Sequence, residues 1–275
     1  MPEQTKHADA LDIDTINRET WKLPATIRVY ERMKGWTDPG EQAAVEYVAA
    51  EVRSRSILDI GVGAGRTTTL LKAVSEDYIG IDYTHEMVQA CRARHPGTRI
   101  VHMDARDLSG FDDGQFALVV FSFNGIDSVD YADRHKVLRE VHRVLQPNGL
   151  FIVSAHNRLG PSRGETPRLR LHFSRNPLKL GWRMLQLIRS LVPSFLNHRR
   201  YRVLNETHDD WAIANCAAHN FGVVVMYTTL AEQKRQLTTA GFNVEVILDN
   251  VDGKPVTDDV NTRAASWFHY VARKV

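Results

Sequence analysis

The sequence predicts an α/β fold in which a mostly parallel sheet lies between two layers of helices. The first observation is that short apolar runs alternate with helix-length stretches from Ser56 onward, as in sheets whose parallel strands are joined by helices. The second is that a glycine-rich turn directly follows the first of these runs. We predict strands over 56–60, 78–82, 99–103, 116–122 and 150–155, and helices over 65–74, 84–94 and 131–145.

The segment before the first strand is predicted to be mostly helical. Residues 1–10 are a polar tail, and short helical patterns follow over about 12–20 and 25–34. Residues 38–41, Asp-Pro-Gly-Glu, then form a typical helix start. Asp caps the first turn, Pro suits the first helical position, and Glu follows three residues after the cap.

Composition and charge argue against several classes of protein. With 275 residues, 43% hydrophobic and 25% charged, the chain is typical of globular proteins and long enough for one large α/β domain. A net charge of +2 gives no general argument for nucleic-acid binding. The start lacks the pattern of a signal peptide, and no apolar run approaches the ~20 residues of a membrane span. Cys91 and Cys216 lie in no metal-type spacing, so we expect a cytoplasmic protein without a metal site.

Residues 57–67, ILDIGVGAGRT, combine an apolar strand, a carboxylate and a glycine-rich turn. Glycines let the backbone approach a ligand closely, and Asp82, at the end of the next strand, suits a ribose diol. A dinucleotide-binding turn would have a glycine in place of Arg66, because it holds a pyrophosphate against a helix N-terminus. Asp59 would repel that pyrophosphate and favours a cation. The motif therefore predicts an adenosine-containing ligand with positive charge and no phosphate.

The D-x-G-x-G-x-G form of this turn, from Asp59 to Gly65, resembles motif I of the class I S-adenosylmethionine-dependent methyltransferases. Three later segments are similar to the same family. Residues 101–105 resemble its third strand, 116–124 its motif IV, and 143–149 its "RVLxPGG" turn, with Asn148 in place of the first glycine. Within this family, the sequence resembles the enzymes that methylate small molecules.

The resemblance covers about residues 38–156 and 229–275 and implies a three-layer Rossmann-like sheet. It also implies a last helix over 229–242 and closing strands over 244–248 and 267–274, the final strand antiparallel. We therefore divide the chain into an N-terminal helical cap (1–37), an S-adenosylmethionine-binding core (38–156), a helical lid insertion that contacts the substrate (157–228) and the C-terminal part of the core (229–275).

The resemblance implies S-adenosyl-L-methionine as the cofactor. Its methionine portion would pass close to the glycines, its ribose would bind Asp82, and its adenine would face Asp104 and Ala105. Phe121 and Asn124 would line the side of the transferred methyl, and Tyr30 would close the N-terminal side. The residues expected to bind the cofactor are Tyr30, Asp59, Gly61, Gly63, Gly65, Arg66, Asp82, Tyr83, Met87, Asp104, Ala105, Phe121 and Asn124.

The insertion over 157–228 is basic in its first part. Leu180–Leu196 carries apolar residues at helical spacing between arginines, which predicts an amphipathic helix. This helix could cover the pocket or form a homodimer, clamp an anionic substrate, or lie on a membrane or nucleic acid. We favour a cover helix with solvated basic residues. The basic residues of this part are Arg158, Arg163, Arg168, Arg170, Arg175, Lys179, Arg183, Arg189, Arg199, Arg200 and Arg202.

Four residues in or beside the insertion are candidates for the base that deprotonates a methyl acceptor: His156, His208, His219 and Tyr227. A histidine that only caps an element or bonds within the core is the alternative for each. Residues 208–210, His-Asp-Asp, are too close in sequence to converge easily on one ion, so we predict no metal.

These features together predict a methyltransferase that acts on an O, N or C atom of a small molecule, in a biosynthetic tailoring step. The alternatives are a methyltransferase for RNA or a lipid-linked anionic substrate, and a non-catalytic S-adenosylmethionine-binding protein. An NAD-type oxidoreductase is disfavoured by Asp59 and by the missing glycine at Arg66.

Overall fold

A seven-stranded, mostly parallel sheet forms the centre of the protein in a computed structural model that describes residues 12–168, 176–257 and 262–275. The strand order is β3-β2-β1-β4-β5-β10-β9, and β10 runs antiparallel to both of its neighbours. The strands of this sheet are β1 (Ile57–Ile60), β2 (Tyr78–Asp82), β3 (Arg99–His102), β4 (Phe116–Phe121), β5 (Leu145–His156), β9 (Phe242–Asp249) and β10 (Trp267–Lys274).

The central strands are continuous apolar runs because helices cover both faces of the sheet. Every residue of β1 and β4 is buried. Val119 of β4 packs in one cluster with Val141, and Leu118 packs in the cluster of the opposite face with Val48. The helices described are α1 (Ile13–Trp21), α2 (Pro24–Arg32), α3 (Pro39–Val52), α4 (Thr68–Val74), α5 (His85–Arg94), α6 (Tyr131–Val144), α7 (Pro177–Tyr201), the single turn α8 (Ala218–Phe221) and α9 (Leu230–Thr239).

The predicted three-layer α/β fold with an antiparallel last strand is confirmed. The helix start at residues 38–41 is also confirmed, since α3 begins at Pro39 and Asp38 Oδ1 accepts the Glu41 N–H at 2.9 Å. Three predicted bounds of core elements are wrong by three residues or more, and one of them is the end of α9, at Thr239 instead of Phe242. Helix α4 begins at Thr68 and not at Gly65, because the preceding glycines adopt left-handed backbone angles that no helix contains. Strand β5 begins at Leu145, where α6 ends.

The insertion is not the purely helical lid that the sequence predicts. It contains α7 and a second, antiparallel sheet of β6 (Glu206–Thr207), β7 (Trp211–Cys216) and β8 (Val223–Thr228) in that order. Of these strands, the sequence predicts only β8, from its apolar run over 223–227. Helix α1 packs on β8 through Asn17, whose side-chain amide donates to Val224 O at 2.8 Å and accepts from Val224 N at 2.9 Å. The N-terminal helices and the insertion therefore form one wall.

Three parts of the chain lie outside the described residues, namely 1–11, 169–175 and 258–261. They include the predicted polar tail and two of the basic residues of the insertion, Arg170 and Arg175. Within the described ranges, no helix is both long and apolar enough to cross a membrane.

Candidate cofactor and acceptor site

A cavity of about 740 Å³ lies at the carboxyl ends of β1, β2, β4 and β5, where sheets of this type bind ligands. Its walls come from the glycine turn after β1, from α1 and α2, and from the segment 216–225 of the insertion. Trp267, at the start of β10, closes the remaining side. No described residue of α7 lines this cavity, so the expectation that α7 covers the pocket is wrong for this conformation.

Most of the predicted cofactor residues meet at this cavity. Asp59 and Gly65 are the two that do not line it. The residues in its wall are Tyr30, Gly61, Gly63, Arg66, Asp82, Tyr83, Met87, Asp104, Ala105, Phe121 and Asn124.

The glycine turn leaves room for a ligand at one glycine and for packing at the others. At Gly63, which has a φ of +54°, an added Cβ would have Tyr30 as its nearest neighbour at 3.8 Å, an ordinary contact distance, so this position is not crowded. At Gly65, with a φ of +82°, an added Cβ would lie 2.5 Å from the His95 ring. A glycine is thus needed at position 65 because the backbone packs against His95 and Cys91 at the end of α5, and its contact with the cofactor stays a prediction.

Asp59 lies beneath the turn and is 1% exposed. One of its oxygens accepts from the Tyr78 hydroxyl at 2.7 Å and from the Thr67 hydroxyl at 2.9 Å. Burial raises the pKa of Asp59 to about 6, although these two hydrogen bonds oppose the shift. Asp59 does not line the cavity, so its role in ordering the cofactor, directly or through water, stays a prediction.

Asp82 is the buried carboxylate of the cavity wall. Its Oδ2 accepts the Gly63 N–H at 2.9 Å, and its Oδ1 accepts the Thr84 N–H at 2.8 Å. Burial raises the pKa of Asp82 against these hydrogen bonds. Since a carboxylate has about four lone-pair sites, two remain for a ligand that donates two hydrogen bonds.

Asp104 is held by two arginines, of which the sequence analysis identified neither. Arg18 of α1 and Arg106 both donate to its carboxylate, with Arg106 Nη2 at 2.7 Å from Oδ2. Burial alone would raise the pKa of Asp104, but these hydrogen bonds and charges hold the pKa below its ordinary value. The carboxylate thus joins the N-terminal helix to the end of β3.

Arg66 is buried and forms an ion pair with Glu41, at the start of α3. Arg66 Nη2 lies 2.7 Å from Glu41 Oε1, and Nη1 donates to Trp36 O at 2.8 Å. Its guanidinium lies 4.7 Å from the centre of the Phe123 ring. These contacts hold the N-terminal segment, the glycine turn and the end of β4 together, so Arg66 shapes the cavity wall.

His156 lines the cavity at the end of β5 and is paired with a buried carboxylate. Its Nδ1 lies 2.8 Å from Asp127 Oδ2, and Asp127 also pairs with Arg134. Asp127 and Arg134 are both fully buried. Because an ionised carboxylate only accepts hydrogen bonds, Nδ1 carries the proton and Nε2 is left as an acceptor. His156 Nε2 lies 3.4 Å from Asn124 Nδ2.

The insertion contributes an aromatic group to the cavity. The His219 ring stacks on Tyr30, with centres 5.7 Å apart, and meets Trp21 edge-on at 5.0 Å. Burial lowers the pKa of His219 to about 4. His219, Asn220 and Phe221 all have φ between +52° and +58°, a strained conformation for residues other than glycine, of a kind that concentrates at functional sites.

Two predicted bases are placed elsewhere. His208 is exposed, pairs with Glu206 and stacks on Trp211 at 3.9 Å, outside the cavity wall. Tyr227 is fully buried behind His156, with ring centres 5.1 Å apart, and burial raises its pKa. Neither side chain lines the cavity, so the structure does not bring either predicted base to the candidate site.

The lining also fits an adenosine ligand with several polar groups. The side-chain oxygen Oδ1 of Asn124 and the hydroxyl of Tyr83 are buried in the cavity wall. Neither atom has a hydrogen-bond partner among the described residues. Buried polar atoms without a partner are costly. Together with the remaining lone pairs of Asp82 and the uncrowded position at Gly63, they match a ligand that brings its own donors and acceptors. The described residues contain no group of three or more side chains suited to a metal ion.

The fold and this cavity resemble those of class I S-adenosylmethionine-dependent methyltransferases, and comparison with known proteins agrees. Residues 58–153 match the family model described as a methyltransferase domain. The chain is 29% identical over 179 residues to a demethylmenaquinone methyltransferase of Clavibacter sepedonicus, covering 62% of this chain and 64% of that protein. It is 32% identical over 127 residues to a probable S-adenosylmethionine-dependent methyltransferase of Mycolicibacterium smegmatis, covering 46% and 48%. The chain thus spans 64% and 48% of the length of these two relatives.

Solved structures show the same fold at lower sequence identity. A Burkholderia thailandensis 1,6-didemethyltoxoflavin-N1-methyltransferase, solved with its substrate and S-adenosylhomocysteine, has a TM-score of 0.57 at 14% identity and covers 100% of this chain and 92% of its own. An amino pentose methyltransferase from Micromonospora echinaspora, solved with S-adenosylmethionine, has a TM-score of 0.56 at 16% identity, with 90% and 96% covered. The match over residues 58–153 agrees with the methyltransferase that the sequence motifs predicted.

Proposed function

We propose that this protein binds S-adenosylmethionine and transfers its methyl group to an oxygen or nitrogen atom of a small molecule. The observation that carries the proposal is that the His156–Asp127 pair and the glycine turn after β1 open onto one cavity. One bound acceptor would thus reach both the cofactor turn and His156, whose Nε2 has only a long contact of 3.4 Å with Asn124 Nδ2.

The cofactor would lie along the ends of β1, β2 and β3. Asp82 would accept from the ribose hydroxyls, and Gly63 would pass next to the methionine portion, because its Cβ position is uncrowded. Met87 and Ala105 offer apolar contacts in the same wall for the adenine. When bound, S-adenosylmethionine supplies a methyl group already activated on a sulfonium, so the protein has to orient and desolvate the reactants.

His156 would act as the general base. Asp127 fixes the Nδ1–H tautomer and the ring orientation, and Arg134 keeps the Asp127 charge compensated where no water reaches it. His156 Nε2 would accept the proton that the acceptor atom loses. A positioned base contributes about 10²–10⁴ in rate to such a step.

The acceptor half of the cavity favours a neutral, flat molecule. Trp21, Tyr30, Phe123, Trp267 and the His219 ring line it, and His219 is uncharged at neutral pH because its pKa is lowered to about 4. Aromatic walls with few polar groups are typical of small-molecule sites. The similarity to the Clavibacter sepedonicus protein makes transfer to carbon the second candidate, since a base can equally deprotonate a hydroxylated ring before its carbon reacts.

Ligand binding tests the cofactor first. S-adenosylhomocysteine should raise the melting temperature and NAD should not, since a ligand at a hundredfold excess over its Kd adds about 2.7 kcal/mol of stability. Methyl transfer from radiolabelled S-adenosylmethionine to a panel of phenols, amines and quinols then tests the reaction, with His156→Asn as the control. Binding without transfer to any class of acceptor would instead favour a non-catalytic S-adenosylmethionine-binding protein.

A further inference from the structure

The outward face of α7 is apolar and exposed. Its inward face contacts the protein through small and polar side chains, such as Ser194, which is buried. The opposite face presents side chains between 45% and 61% exposed, which no described residue covers. These exposed side chains are Trp182, Met184, Leu185, Ile188, Val192, Phe195 and Leu196.

The same helix concentrates the positive charge of the chain. Residues 176–203 contain six basic residues and no Asp or Glu, so the segment carries +6. Because the whole chain carries +2, the remainder carries −4, from +2 minus +6. The basic residues of the segment are Lys179, Arg183, Arg189, Arg199, Arg200 and Arg202.

An exposed apolar face with basic residues around it is complementary to an anionic lipid surface. A second copy of this chain fits less well, because a symmetric contact through α7 would bring two +6 segments together. Within the described residues no helix can span a membrane, so α7 would lie in the plane of the interface. We propose that α7 docks the protein onto membranes that contain anionic lipids.

This docking helix is bonded to the wall of the cavity. The Ser190 hydroxyl donates to Asn220 Oδ1 at 2.7 Å, and the Asn197 amide donates to Asn220 O at 3.0 Å. Asn220 lines the cavity and belongs to the left-handed segment at His219–Phe221. A membrane that binds α7 would therefore lie beside the cavity wall. It would contact α7, the helix whose hydrogen bonds hold Asn220 in that wall.

Vesicle co-sedimentation of the full chain tests the proposal. The protein should pellet with vesicles of phosphatidylcholine mixed with phosphatidylglycerol and far less with phosphatidylcholine alone. Raising the salt from roughly 50 to 500 mM should weaken this binding at least about tenfold, because the Debye length falls to a few ångströms. No binding, or equal binding to both kinds of vesicle, overturns the proposal.

Paired variants separate the apolar and the charged contributions. Ile188→Asp and Phe195→Asp should each reduce vesicle affinity at least roughly tenfold. The matched control is Val251→Asp, which changes a side chain 59% exposed at the end of β9, compared with 56% for Ile188. Since all three side chains are exposed, the melting temperatures should stay close to that of the wild type. If Val251→Asp lowers binding as much as Ile188→Asp, α7 is not the docking element.

The charge test replaces Arg189 and Arg199 by Gln together and should reduce anionic-vesicle affinity roughly tenfold or more. Its control replaces Arg53 and Arg99, two exposed residues at the amino-terminal ends of the strands, and should change little. Light scattering on the same proteins tests a second copy. A dimer that Ile188→Asp dissociates, without vesicle binding by the wild type, overturns the proposal. An RNA gel shift that the Arg189/Arg199 variant abolishes, without vesicle binding by the wild type, also overturns the proposal.

Discussion

Asp82 should set the affinity for the cofactor. Both of its oxygens already accept a backbone N–H, from Gly63 at 2.9 Å and from Thr84 at 2.8 Å. Two lone pairs therefore remain toward the cavity, the number that a ribose diol requires. Asp82→Asn keeps the shape of the side chain, removes one acceptor from the diol, and turns an amide N–H toward one of these backbone donors.

The expected loss of binding free energy follows from the charge of the acceptor that Asp82→Asn removes. Hydrogen bonds to charged groups contribute about 1.5–3 kcal/mol, so affinity for S-adenosylhomocysteine should fall roughly ten- to hundredfold. Calorimetric titration measures this directly and requires no knowledge of the acceptor. Because Asp82 is 6% exposed, the variant should also be checked by thermal unfolding to show that it is folded.

Asp77→Asn is the matched control, since Asp77 precedes the same strand at its opposite end and is exposed. This control should bind S-adenosylhomocysteine as the wild type does. If a folded Asp82→Asn variant binds with wild-type affinity, Asp82 does not contact the ribose and the cofactor does not lie along the end of β2.

Three further substitutions test the neighbouring groups. Asp59→Asn should increase the free energy of unfolding relative to the wild type by up to roughly 3 kcal/mol above pH 6 and by little below pH 4. The pKa of Asp59 is raised from 3.8 to about 6 in the folded wild type, so the wild type loses stability as Asp59 ionises over that range. Urea unfolding at several pH values measures the difference between the two proteins, and a difference that does not change with pH contradicts the prediction. His156→Asn should lower kcat about 10²–10⁴-fold in the methyl-transfer assay with unchanged S-adenosylhomocysteine affinity, and a loss below tenfold would remove it as the base. Arg66→Met should lower the free energy of unfolding, measured in urea, by about 3–5 kcal/mol, because it leaves the Glu41 charge buried alone. The double variant Arg66→Met with Glu41→Gln should recover most of that stability. Equal stability of Arg66→Met and the wild type would show that the ion pair does not stabilise the fold.

The pH dependence of wild-type stability does not by itself reveal the contribution of Asp59. The lowered pKa of His219 makes the folded protein less stable as pH falls from 6.5 toward about 4. The raised pKa of Asp59 has the opposite sign over nearly the same range. The difference between the wild type and Asp59→Asn therefore isolates the contribution of Asp59, since His219 contributes equally to both.

The sequence predicted the core because its signals are local. The alternation of apolar runs with amphipathic stretches requires only neighbouring residues, and it specified the strands of the parallel sheet. The helix start at residues 38–41 depends on one capping side chain and was equally readable. The glycine turn specified the class of cofactor site, because its chemistry lies in the identity and spacing of a few consecutive residues.

The sequence failed where contacts join distant segments. Asp127 follows motif IV by only a few residues, yet its role depends on His156 and Arg134, which other elements bring to it. Arg18 reaches Asp104 only because α1 packs on the insertion. Neither pairing leaves a signal in residue spacing.

The sequence by itself determined the fold class, the order of the core elements and the cofactor motif, because each depends on periodicity or on adjacent residues. Only the tertiary structure decided which candidate base faces the cavity and which way α7 points. His156 and His208 look alike in sequence, but one lies at the carboxyl end of a central strand and the other in an exposed hairpin. An amphipathic helix likewise has one pattern whether it covers a pocket or faces outward, since periodicity defines the faces of a helix and packing determines what each face meets.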